Sequence, residues 1–381
     1  MVRYVPFGEP LPSCKPPKRP DLTTDEQEKL DALLEYVRGL NEIPVSSDSS
    51  NKEKAPLDDE EQAWITRECL LRYLRATKWK LADAQKRVLG SLVWRREYGV
   101  RDLTPDYISP ENESGKQLIL GFDFDSRPCL YLYSSRQNTE KSNRQIQHLV
   151  FSLERVIDFM PSGQESLALL IDFKDSTNSK NPSVSQGRQV LHILQTHYPE
   201  RLGKALVINI PWFVSQFLRI IYPFIDPLTR EKLVFSEPID KYVPNEQLDT
   251  VFGGSSDFQY DHSKYWNAMC EMAAEKHKRY MARWRELGGG VGQSEAELRA
   301  ETDQEIQEEI AKTEALEKSV EAEEASKVAT SSSVPQEISG NTQTAEEAAA
   351  KLDADVGLGE KAIDDEVVTQ LSKVALAESS S

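Results

Sequence analysis

Apolar residues in the first hundred positions recur at helical spacing. Thr23-Thr24-Asp25-Glu26 has the form of a capping box, followed by Leu30, Leu33, Leu34 and Val37 on one stripe and a stop at Gly39. From Leu57 to Tyr98 the chain reads as helices: the acidic run 58–61 favours a helix start, and Trp64, Leu70, Leu71 and Leu74 supply apolar faces. After Lys78-Trp79-Lys80 a further helix carries Leu81, Val88, Leu89, Leu92 and Val93. From Lys116 the period changes. Lys116–Phe122 and Pro128–Tyr133 read as strands joined by a turn at Asp125-Ser126-Arg127. Gln145–Met160 is a helix with Ile146, Leu149, Val150, Leu153 and Ile157 in line, and Ser166–Phe173 is an almost continuous apolar run, as in a buried parallel strand. A helix over Gly187–Tyr198, a strand over Lys204–Ile210, a dense apolar segment Phe213–Ile225, a short strand Glu231–Phe235 and a long helix Asp261–Leu287 follow. Gly288-Gly289-Gly290 ends that helix. The order predicts an α/β chain: an N-terminal all-helical lobe, then a mixed, mostly parallel sheet.

These patterns predict five segments. Residues 1–56 form an N-terminal arm (disordered over 1–21), a short helix and a polar linker at 41–56. Residues 57–105 form the helical lobe, 106–262 the α/β domain and 263–290 the C-terminal helix. Residues 291–381 form an acidic tail, helix-prone to about Val328 and otherwise disordered. Charge supports the last boundary. The net charge is −17, and the stretch from Ser294 holds 22 acidic against 7 basic residues, leaving 41 acids and 39 bases elsewhere. A near-neutral body and an acidic tail argue against nucleic acid as a partner. Cys14, Cys69, Cys129 and Cys270 form no CxxC pair, and no apolar run approaches the ~20 residues that span a bilayer. The expectation is a cytoplasmic monomer with reduced thiols, touching membranes only peripherally.

Catalytic and metal chemistry find no support. The five histidines, His148, His192, His197, His262 and His277, make no HExxH, and there is no GxSxG or GxGxxG. Ser114-Gly115-Lys116-Gln117 reads as a polar turn rather than a phosphate loop. No catalytic residue, metal ligand or cofactor is assigned.

The informative stretch is Thr196-His-Tyr-Pro-Glu-Arg-Leu-Gly-Lys204, running into a buried strand, with Phe224-Ile-Asp-Pro-Leu-Thr-Arg-Glu-Lys-Leu-Val-Phe235 downstream. Taken alone, Glu200 and Lys232 read equally well as an ordinary ion pair. Together with Leu71-Arg-Tyr-Leu-Arg-Ala-Thr-Lys-Trp79, Trp94-Arg-Arg-Glu-Tyr-Gly99, Pro223-Phe-Ile-Asp-Pro-Leu-Thr229 and Phe252-Gly-Gly254, the stretch resembles the CRAL-TRIO lipid-binding family, in particular its fungal phosphatidylinositol-transfer lineage. The resemblance covers roughly residues 60–265. It implies a lipid-binding domain closed by a mobile lid helix and a phosphatidylinositol headgroup site at Glu200, Thr229 and Lys232, with Lys78 on the helical lobe. A cation answers the phosphodiester, and Glu200 accepts hydrogen bonds from inositol hydroxyls.

Two positions depart from the family. The founding type has Arg where this chain has Thr77, so the resemblance brings no phosphate contact from there. Members that also hold phosphatidylcholine place hydroxyls at the positions of Leu167 and Leu169. Here Leu167, Leu169 and Ile171 give one apolar strand face, read either as a tighter core or as the wall for a sterol or another hydrophobe. The lid falls on Trp212–Ile225, with Phe217, Ile221, Phe224 and Ile225 as contact residues and Pro211, Pro223 and Pro227 as hinges. The expected function is phosphatidylinositol transfer. The rivals are a regulatory scaffold that presents the lipid to a lipid kinase or to oxysterol-handling machinery, and a lipid-metabolising enzyme, which would lack a nucleophile with an adjacent base.

Overall fold

The computed structural model describes residues 2–48, 50–177 and 183–331. Strand β1 (Val2–Arg3) opens the chain, and α1 (Thr24–Arg38) starts at a complete capping box of Thr23 and Glu26. The hairpin β2 (Glu42–Pro44) and β3 (Lys54–Pro56) leads to α2 (Asp59–Trp64), whose start is capped reciprocally by Asp58 and Glu61. Next come α3 (Arg67–Ala76) and α4 (Leu81–Tyr98), the latter closed by Gly99 at φ 67°, a left-handed position that suits glycine. These helices share one core around Leu33, Ile65, Leu70, Leu74, Val88 and Leu92.

The short α5 (Pro105–Ile108) leads into β4 (Gln117–Phe122), β5 (Pro128–Tyr133), α6 (Asn143–Asp158) and β6 (Leu167–Asp172). Then follow α7 (Val184–His197), β7 (Leu202–Ile208), α8 (Trp212–Ile221), α9 (Pro227–Arg230) and β8 (Leu233–Phe235). The five strands β4 to β8 lie in sequence order in one sheet, with β4 antiparallel to β5 and the other three pairings parallel. A tight turn at 123–127 permits the antiparallel pair, whereas the three parallel pairings need crossovers, through α6, through α7 and through α8 with α9. The β6–β7 register shifts between Leu167 and Ala168, where Gly203 lies beneath the Arg127 side chain. A Cβ at Gly203 would come within 2.3 Å of Arg127 Nε, so only glycine fits there.

β9 (Asp257–Phe258), α10 (His262–Glu286), α11 (Glu295–Leu298) and α12 (Asp303–Ser331) complete the described chain. α10 packs on α6, with Trp266 stacked on Phe151. It also reaches β4, where the Tyr265 hydroxyl accepts from Ile119 N and donates to Ile119 O. Residues to Ala315 form one compact unit; a second begins at Leu316, helical as far as Ser331. Among the described residues no helix is long and apolar enough to cross a membrane.

Three expectations need correction. The arm expected to be disordered over 1–21 is ordered over its described residues 2–21: β1 pairs with β9, Phe7 N donates to Leu120 O, and Val5 and Cys14 are buried. Isolated apolar residues spaced by prolines carry no period, yet each fills its own site. Within the linker expected at 41–56, β2 and β3 pair antiparallel, and Ile43 is completely buried. Third, the segment after Gly290 contributes to the core, because Glu295 and Leu298 are both buried. The rest of the expected tail, from 332, lies outside the described residues.

Candidate functional site

Glu200 follows α7 at the end of Tyr198-Pro199-Glu200, with φ 58°, a left-handed conformation that a non-glycine residue adopts only when its surroundings impose it. Its carboxylate accepts from Arg75 Nε at 2.5 Å, on the last turn of α3. Lys232 sits just before β8, and its carbonyl accepts from Ala205 N, which pins it to the sheet beside β7. The Lys232 ammonium donates to Leu202 O at 2.7 Å. Burial lowers its pKa, with Glu200 as the strongest attraction working the other way. Glu200 and Lys232 therefore share one electrostatic environment, but the carboxylate's ion pair is with Arg75.

The other expected headgroup residues are placed unevenly. Thr229 is partly buried near Lys232, and its hydroxyl and amide both bond Asp226, the N-cap of α9. Lys78 is exposed at φ 52° in the turn between α3 and α4. Thr77 turns away: its hydroxyl donates to the Tyr73 and Leu74 carbonyls at 2.9 and 3.1 Å, finishing α3.

Sequence reasoning missed the charged network behind Glu200. Arg75 Nη2 donates to Glu165 at 3.1 Å, and Glu165 also pairs with Arg72 at 3.1 Å and with Arg19 of the arm at 3.3 Å. Burial works to raise the Glu165 carboxyl, and the guanidinium groups of Arg72, Arg75 and Arg19 outweigh it, holding it below its usual range. Arg72 continues to Glu295 at 2.9 Å, which also binds Arg201 and Arg299. Alternating charges thus run from Glu295 to Glu200. Composition counts these residues without pairing them, so no sequence signal short of the match around Arg75 could have found them.

The apolar side of the site is the sheet. Leu167 is buried, and Leu169 and Ile171 are half-buried. Leu169 lies between Leu130 and Ala205, and Ile171 between Leu132 and Val207, so this face of the three strands is hydrocarbon throughout. In the segment expected to form a lid, Val214 and Ile225 are buried, while Trp212 and Phe224 are 65% and 48% exposed. Arg188 of α7 covers the Phe224 ring at 4.4 Å, and Gln195 donates to the Phe224 carbonyl. Phe217 and Ile221 both lie in α8 by backbone; nothing is described of their side chains.

Comparison with known proteins agrees with this architecture. Residues 112–254 match the CRAL/TRIO domain and residues 29–89 the CRAL/TRIO N-terminal domain. A CRAL-TRIO domain-containing protein of Schizosaccharomyces pombe is 54% identical over 293 residues, 76% of this chain but 29% of that protein. Phosphatidylinositol transfer protein PDR17 of Saccharomyces cerevisiae is 39% identical over 303 residues, covering 74% of this chain and 86% of PDR17. The SEC14 cytosolic factor of Candida glabrata is 30% identical over 216 residues, 49% of this chain and 70% of that protein. The crystal structure of Sfh5 aligns with a TM-score of 0.49 at 18% identity, over 65% of this chain and 92% of Sfh5. By its two matched domains and by its identity to PDR17 over most of that protein's length, the chain belongs to the CRAL-TRIO family.

Proposed function

We propose that the protein binds one phosphatidylinositol molecule, with its acyl chains against the Leu167–Leu169–Ile171 face and its headgroup between Glu200 and Lys232, and exchanges it at membrane surfaces. The observation that carries this reading is the pairing of chemistries at one end of the sheet. A carboxylate and a cation stand at the edge of a strand face with no polar side chain at positions 167, 169 or 171. Each CH₂ moved from water to an apolar setting gains about 0.8 kcal/mol, so two acyl chains of about 30 such groups represent about 25 kcal/mol. A carrier must match the bilayer interior and never expose the chains, which confines exchange to a membrane-docked state. The exposed Trp212 and Phe224 rings suit such docking, with the proline-flanked segment 211–227 as the lid.

The same strand face supports a narrower choice of second ligand. With hydrocarbon at positions 167 and 169, a choline headgroup has no hydroxyl partner there, whereas a sterol needs none. Mass spectrometry of lipids co-purifying with the protein tests both parts. The reading requires phosphatidylinositol among them, and its absence with another phospholipid in its place contradicts it.

A further inference from the structure

We propose that Arg75 is the phosphate-binding guanidinium of this site, held on Glu200 and Glu165 until a lipid phosphate takes it over. The inference rests on the headgroup reading of Glu200 and Lys232 and adds a residue to it. Thr77 supplies no cation, and its hydroxyl is spent on the end of α3. Arg75 stands on the same helical turn, with its side chain only 22% exposed and pointed at the headgroup carboxylate. A guanidinium has five N–H donors in a planar fork. Here Nε serves Glu200 and Nη2 serves Glu165, while Nη1 has no partner among the described residues.

The neighbouring charges allow the transfer. Arg75 occupies Oε2 of Glu200, so an inositol hydroxyl that donates to that oxygen competes with the guanidinium and releases it. The guanidinium so released is the cation nearest to Glu200, and an entering phosphodiester needs more than Lys232, whose charged form is already disfavoured by burial. Glu165 is not stranded by the move, since Arg72 and Arg19 remain on it. Arg75 also borders a cleft of about 1100 Å³, lined among others by Arg19, Trp79 and Glu165, which leaves it room to turn.

The test uses the full chain and fluorescent phosphatidylinositol in phosphatidylcholine vesicles, comparing Arg75→Ala, Arg75→Lys, Glu200→Ala, Lys232→Ala and the Arg75→Ala/Glu200→Ala double variant. A charge-assisted hydrogen bond is worth enough for about a tenfold loss of affinity on removal. If Arg75 meets the phosphate and Glu200 the hydroxyls, the double variant loses more than either single one, up to about a hundredfold. If Arg75 serves only to position Glu200, the double variant matches Glu200→Ala alone, and the proposal falls. It falls equally if Arg75→Ala binds normally. Should Arg75→Ala not fold, Arg75→Lys keeps a cation for both carboxylates and recovers only part of the affinity; full recovery counts against the fork. Normal binding by Glu200→Ala and Lys232→Ala would instead remove the headgroup site itself. Inorganic phosphate forms a last arm: if it competes with the lipid through Arg75 at equal concentration, the site belongs to a soluble anion and the lipid assignment of Arg75 is overturned.

Discussion

Glu295 and Arg72 meet at 2.9 Å although 223 residues separate them, and both side chains are almost completely buried. This contact fastens the segment after the triglycine to α3 of the helical lobe, one ion pair away from Glu165 and three from Glu200. Breaking one partner of a buried ion pair typically costs about 3–5 kcal/mol, because the charges left behind are uncompensated. Glu295→Ala is expected to lose about that much in denaturant unfolding. Truncation after Gly290 is expected to lose at least as much, since Leu298 goes too. A truncated chain as stable as the full one contradicts this account of the C-terminal segment.

A second prediction concerns acid. The Arg95 fork donates to both oxygens of Glu154 at 2.8 Å, and the Tyr198 hydroxyl adds a third bond at 2.6 Å. Burial works to raise the Glu154 carboxyl, and Arg95 with Tyr198 overrides it, holding the group at about 2 against an ordinary 4.5. A carboxyl depressed on folding stabilises the native state above its unfolded pKa, and that contribution fades as pH falls from about 4.5 towards 2. Melting temperature should therefore drop across this window in the wild type, and Glu154→Gln should flatten the drop while lowering stability at neutral pH. Parallel curves for the two proteins would show that the pair contributes nothing.

Legibility in the sequence followed physical type. Elements that bury a periodic face, such as α1, α6, β5 and β6, lie within a few residues of their expected positions, and the capping boxes at Thr23 and Asp58 fall where the side chains demand. The arm, the Ile43 hairpin and α11 were invisible because none repeats. Val5, Cys14, Ile43 and Leu298 each fill a separate site, and a strand of two or three residues is held by backbone bonds that any side chain allows. Charged residues misled in one direction. Glu295 counts the same whether solvated or surrounded by three guanidinium groups, so an acidic composition concealed a structural anchor. The motif marked Glu200 and Lys232 as candidates, whereas the contact of Arg75, two positions before Thr77, with Glu200 is visible only once the fold brings α3 onto the end of α7.

On the proposed reading, ligand choice can be moved at the strand face. Replacing Leu167 with Ser and Leu169 with Thr restores hydroxyls to a wall now made of hydrocarbon. Phosphatidylcholine transfer is expected to rise from a low level by about tenfold, as one or two new hydrogen bonds would bring. Rapid phosphatidylcholine transfer by the unaltered protein would contradict the role given to these leucines.

The proposed lid makes a separate demand. Phe224 is half-exposed, so Phe224→Asp should fold with little change in melting temperature. Exchange between vesicles is nevertheless expected to stop, because a carboxylate carried into the bilayer interface must be desolvated at a cost of several kcal/mol. Normal folding with normal transfer would place the membrane-contacting surface elsewhere.

The most direct measurement is vesicle-to-vesicle phosphatidylinositol transfer by the Glu200→Ala/Lys232→Ala protein, with its melting temperature recorded alongside. Headgroup recognition by this carboxylate and this ammonium predicts that transfer falls to background while the protein remains folded. Transfer at the wild-type rate by a folded double variant would contradict it.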